Sequence, residues 1–132
     1  CLKMANAQHK ANEEAMRLGK HVLRMRIGVH TGTAVVGNVG ARDRWNYTVV
    51  GDAVNTCERL QSLGRTVVTE DDTVILASAD TLARIPGITG VEPVGEQHLR
   101  GREANIEVWR VHANASWPAE GRVFAQGQRG VA

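Results

Sequence analysis

The chain has 132 residues, 42% of them hydrophobic, with 16 Lys and Arg against 14 Asp and Glu for a formal net charge of +2. That is length and apolar content for one ordinary domain with its own core, which excludes a disordered chain. The basic residues are scattered rather than gathered with interleaved aromatics, so nucleic acid is not an expected partner.

From Leu2 to Leu18, Met4, Ala5, Ala11, Ala15 and Leu18 recur near helical spacing, which predicts a helix with one buried face stopped by Gly19. In "HVLRMRIGVHTG" the residues Leu23, Met25, Ile27 and Val29 alternate with Arg24, Arg26 and Gly28, the period of a half-buried strand. A Gly-rich turn and a second strand through Val35, Val36 and Val39 follow, so the two strands are expected to form a hairpin whose glycines let other backbone approach. "YTVV" reads as a third short strand. Asp52 to Leu63 reads as a helix capped by the Asp52 carboxylate and ended by Gly64, with Val54, Cys57 and Leu60 on the inner face opposite Asn55, Arg59 and Ser62. "RTVVTE" is expected to be a buried strand, and "DDTVILASADTLARI" a helix with a break near Ser78 to Asp80, ended by Pro86-Gly87. Two last strands, Val91 to Leu99 and Ile106 to His112, flank the turn "RGREAN", and residues 113–132 read as a tail or linker. Met4, Met16 and Met25 are expected in the core, and Cys57 as a small residue of the inner helix face.

Cys1, Cys57 and five isolated histidines show neither a disulfide framework nor metal-ligand spacing, so the expected setting is reducing and cytoplasmic. No apolar run approaches the roughly 20 residues of a membrane span. Because the chain begins at Cys1 within an apparent helix, it is expected to be a piece of a longer protein, whose remainder could carry a membrane anchor.

Three stretches in order, "RIGVHTGTAVVGNVG", "RWNYTVVGDAVNTCERLQSLG" and "GEQHLRGREANIEVWRV", resemble the class III adenylate and guanylate cyclase catalytic domain, over the chain up to about Val111. The resemblance implies an α+β fold that is ferredoxin-like and related to the polymerase palm, an antiparallel sheet layered with helices. It also implies a dimer with active sites in the cleft between subunits, and here the domain would occupy residues 1–112 without its N-terminal strands. Asn55 and Arg59 match the family's V-N-x-x-x-R pattern, whose Asn and Arg stabilise the transition state. Four residues apart on a helix they share a face and could grip one small object.

Thr48 falls where the family reads the base, and a hydroxyl accepting from an adenine amino group favours ATP over GTP. Arg102, with Arg100 and Arg44, is expected to bind the triphosphate. The family's two Mg²⁺ or Mn²⁺ ions are held by two Asp residues that precede the first helix, and no residue here matches them; Asp52 is expected to be a helix cap and not a metal ligand. The implied function is conversion of ATP to cyclic AMP and pyrophosphate in intracellular signalling, by the complete domain and not by this stretch alone. The alternatives are a guanylate cyclase, a cyclase-homology module that binds nucleotide without chemistry, and a dimerisation scaffold. For individual residues the plainer readings are a solvated helix face for Asn55 and Arg59, a β-forming residue for Thr48, surface charges for the three arginines, and a structural role for His30.

Overall fold

The computed structural model describes residues 1–39, 46–98 and 105–116. Helix α1 (Leu2–Arg17) leads to strand β1 (Met25–Val29), then β2 (Val35–Val39) and β3 (Asn46–Val50), helix α2 (Asp52–Leu63), β4 (Thr73–Ser78), the single turn α3 (Ala79–Leu82), and β5 (Thr89–Gln97) and β6 (Ile106–Ser116). Four strands form one mixed sheet in the order β1-β4-β6-β5, and β2 and β3 form a separate antiparallel ribbon.

Strand β4 is the centre of the packing. Its run TVILAS is buried from Val74 to Ser78, because helices cover both of its faces. Val74 and Leu76 meet Leu60 of α2 together with Ile106 and Val108. Ile75 and Ala77 meet Ala5 of α1 together with Val111 and Ala115. A strand covered on both sides reads as a continuous apolar run, which periodicity does not distinguish from a buried helix. That is why the expected helix over this stretch is wrong in type; the expected break is real, since Ser78 is the N-cap of α3.

The expected hairpin between the first two strands is also corrected. β1 pairs with β4 in parallel, Met25 opposite Thr73 through Val29 opposite Ala77, while β2 pairs with β3, Val35 opposite Val50 through Val39 opposite Asn46. The sheet is therefore not wholly antiparallel. "RTVVTE" forms no strand: it is a turn and an extended loop, with Val68 97% exposed. β6 runs on through Ala113–Ser116, four residues into the expected tail, and Ala115 joins the core. Met4 and Met16 are exposed rather than buried, since the inner stripe of α1 runs through Leu2, Ala5, Gln8, Asn12 and Ala15.

The link from α1 to β1 is held by a buried side chain. Asn12 accepts a hydrogen bond from the Leu23 backbone N–H at 3.0 Å and donates to the Leu23 carbonyl at 2.7 Å, while Gln8 donates to its Oδ1 at 3.1 Å. One amide thus stands in for a backbone ladder along an irregular segment.

Candidate functional site

Helix α2 carries the candidate pair, and two glycines place it. Gly28 of β1 lies under the helix: a Cβ there would come within 2.1 Å of the Cys57 carbonyl oxygen and 2.7 Å of the Gln61 nitrogen. Only a residue without a side chain lets the helix backbone rest on the strand this closely. Gly51, the N-cap residue, has φ 154° and ψ 166°, and a Cβ on it would meet the Thr33 oxygen at 3.1 Å and the Ala34 Cα at 3.2 Å. This backbone region belongs almost wholly to glycine, and it sets the angle at which β3 feeds α2. Sequence reading missed both roles; the one signal for Gly28 is that it interrupts the alternating side chains of an otherwise regular strand.

Asp52 is the first helical residue rather than the cap, and the α2 cap makes no side-chain hydrogen bond. The expected capping carboxylate is corrected accordingly, because glycine at the preceding position has taken the turn. The inner face of α2 is also rotated from expectation. Thr56 and Leu60 are fully buried and Val54 is exposed, with Cys57 half-buried and its thiol 4.0 Å from the His30 carbonyl.

Asn55 and Arg59 lie one turn apart on α2, Asn55 exposed and Arg59 half-buried. The Arg59 Nη1 is shielded from solvent and has no hydrogen-bond partner among the described residues. A guanidinium N–H left unpaired inside the protein is costly, because its lost hydration is not replaced. A ligand oxygen delivered to that point would recover the loss. Two other shielded atoms, the Thr56 and Thr73 hydroxyls, are in the same state, but Thr56 is fully buried and Thr73 lies on β4, whereas Arg59 is half-buried one helical turn from the exposed Asn55. Thr48 is half-buried on β3 directly opposite Gly37 of β2. Thr48 and the helix pair are thus joined only through Gly51, with no hydrogen bond between them among the described residues. Arg44, Arg100 and Arg102 lie outside the described residues.

His30, at the end of β1, has a structural setting as expected. Its Nδ1 is 2.7 Å from the Ser78 hydroxyl, which is 3.2 Å from that of Thr81, itself 3.2 Å from Thr31. This chain of hydroxyls ties the end of β1 to the start of α3, a partnership that sequence spacing does not reveal. The described residues do not fit the implied Mg²⁺ or Mn²⁺: among them no group of three or more His, Cys, Asp or Glu side chains could hold a metal ion. Among them, too, no helix is long and apolar enough to cross a membrane.

Residues 1–113 match the family model for the adenylate and guanylate cyclase catalytic domain. Adenylate cyclase 1 of Rhizobium meliloti (strain 1021) is 38% identical over 88 residues, 67% of this chain and 13% of that protein. An adenylate cyclase of Anabaena cylindrica is 44% identical over 64 residues, covering 46% of this chain and 13% of that protein. Among solved structures, the adenylyl cyclase CyaB from P. aeruginosa superposes with a TM-score of 0.67 at 26% identity, covering 83% of this chain and 54% of that one. The guanylyl cyclase Cya2 superposes with a TM-score of 0.61 at 32% identity, covering 83% of this chain and 53% of that one. The chain thus spans a small part of those two curated relatives and about half of each of these two solved domains. Its mixed α+β architecture is that of class III cyclase domains, and the chain belongs to the adenylate and guanylate cyclase catalytic domain family.

Proposed function

We propose that this chain is part of an adenylate cyclase catalytic domain that converts ATP to 3′,5′-cyclic AMP and pyrophosphate. The observation that carries the reading is the shielded, unpartnered Arg59 Nη1 on the same helix as the exposed Asn55 amide. In the reaction the ribose 3′-hydroxyl gives up its proton to solvent and its oxygen bonds to the α-phosphorus as the bond from that phosphorus to the β-phosphate bridging oxygen breaks, and pyrophosphate leaves. Charge shifts among phosphate oxygens, so catalysis consists mainly of positioning and electrostatic stabilisation.

Arg59 supplies a rigid fork of donors for oxygens on the α-phosphate, with an N–H already stripped of water. Asn55 orients the ribose through its amide, and Thr48 accepts a hydrogen bond from the adenine amino group. Arg44, Arg100 and Arg102 bind the triphosphate. The two metal ions expected of such a reaction find no ligand set among the described residues. A second copy of the domain completes the cleft. This last point is supported by the face of the β2–β3 ribbon opposite Thr48, where Val36, Tyr47 and Val49 are exposed together, more apolar surface than an isolated two-stranded ribbon tolerates well. The cytoplasm is where ATP is available to it.

The test is formation of cyclic AMP from ATP by the full-length protein with Mg²⁺ or Mn²⁺, beside Arg59→Ala. The 32% identity to a guanylyl cyclase makes GTP the necessary parallel substrate. Cyclic GMP in place of cyclic AMP would reverse the base assignment. Cyclisation of neither nucleotide would overturn the enzyme reading in favour of a regulatory module.

A further inference from the structure

Gly37, in the middle of β2, has no reason within the described residues to be glycine. Its backbone is not among those with positive φ, and a Cβ built on it meets nothing within 4 Å among the described residues. Gly28 and Gly51 differ, the first forced by a 2.1 Å approach and the second by its φ. A glycine inside a strand weakens it by roughly 0.5–1 kcal/mol relative to alanine, so an unforced one marks a place where something else comes close.

What shares the face of Gly37 is informative. Thr48 is its cross-strand partner, and the next pair on the same face is Val35 opposite Val50, 72% and 52% exposed. The result is a bare patch of backbone at Gly37, with one hydroxyl across from it and two isopropyl groups along one side. A flat aromatic ring with a polar edge suits this surface: its face covers the glycine and the valine methyls while its edge meets the hydroxyl.

We propose that Gly37 is a specificity-determining position that keeps the space beside Thr48 open for the purine ring of the substrate. This rests on the proposed nucleotide cyclase activity. A side chain at Gly37 would fill the volume the ring needs and leave the phosphate end of the site untouched.

The experiment compares wild type, Gly37→Ala and Gly37→Val in the full-length protein. Both variants are expected to keep or raise the thermal midpoint, since each strengthens a strand without a clash. KM for ATP is expected to rise with side-chain size, by about tenfold or more for Gly37→Val, the scale of a misplaced group in an apolar pocket. Inhibition by inorganic pyrophosphate, which has no base, is expected to stay as in wild type; a purely structural defect would weaken both.

If wild type turns over and Gly37→Val retains its KM, the inference is overturned while the cyclase reading stands. If KM is retained but the variant no longer dimerises, the glycine serves a protein neighbour and the inference is likewise overturned. If wild type shows no turnover, the cyclase reading fails, and calorimetric titration with ATP decides the inference: binding lost in Gly37→Val supports it, and unchanged or absent binding refutes it.

Discussion

Replacing Arg59 with methionine separates two properties that usually fall together. The Met side chain keeps much of the volume and flexibility of the arginine stem and removes every donor. Among the described residues Arg59 Nη1 is shielded and unpaired, and leaving a polar group in that state costs about 1–3 kcal/mol. Arg59 is only half-buried, and its other nitrogens keep some hydration, so the lower end of that range applies. Arg59→Met is therefore expected to leave stability unchanged or raise it by about 1 kcal/mol. Losing a donor to a developing phosphate charge costs about 2.7–4 kcal/mol of barrier, a fall in kcat of about a hundredfold to a thousandfold. Urea denaturation and cyclic AMP production measured on the same preparation check both halves. A variant destabilised in proportion to its lost activity would refute the argument, because Arg59 would then be a packing residue. Near-normal turnover would refute it as well.

Other substitutions test what positions the helix and the base. Gly28→Ala would bring a methyl into the Cys57 carbonyl at 2.1 Å; rigid backbone has to give way, so a loss of about 3 kcal/mol is expected in denaturation midpoints, with cyclase activity lost in parallel. Gly51→Ala strains a backbone region that belongs to glycine and is expected to cost about 1–3 kcal/mol, read by thermal unfolding. Asn12→Ala removes the clamp on Leu23 and is expected to cost about 1–2 kcal/mol, with faster amide exchange confined to residues 18–24. Thr48→Val keeps the shape and drops the hydroxyl, so kcat/KM for ATP is expected to fall by roughly fivefold with that for GTP little changed.

Elements governed by local chemistry were legible in the sequence. The bounds of α2, Asp52 to Leu63, are read from Asp52 and Gly64 at its ends and hold although the cap itself is Gly51, and α1 differs from expectation by one residue at Arg17. What failed depends on distant partners. Nothing near "TVILAS" states that α1 and α2 will cover its two faces, and an apolar run of that length suits either a helix or a strand. β1 has a clear period of two, yet its partner β4 is more than forty residues away. The hairpin expectation took the nearest strand, a rule that fails whenever a parallel pairing intervenes. Val68 misled for the opposite reason: two adjacent valines promised burial, and the turn after α2 put one of them in solvent.

The candidate site divides along the same line. Asn55, Arg59 and Thr48 were nominated because a motif holds them at fixed spacing, and that spacing appears in the fold as one helix turn and one strand before it. The residues that determine where the motif sits were not found. Gly28 decides how closely α2 approaches β1, Gly51 decides its entry angle, and Ser78 at the end of β4 meets His30, with Thr81 of α3 bonded to Ser78 in turn. Glycine carries no side chain whose periodicity could be read, so its two roles emerge only when the neighbouring atoms are known. The same holds for Gly37, whose significance lies in what is not near it. Among the described residues nothing excludes a side chain at this strand position, which a β-branched residue would stabilise, yet it is held by glycine beside the hydroxyl that we propose meets the base. The comparison of Gly37 with Gly28 thus turns a feature common to both into two opposite expectations: methylation at Gly28 should damage the fold, and methylation at Gly37 should spare the fold and damage binding.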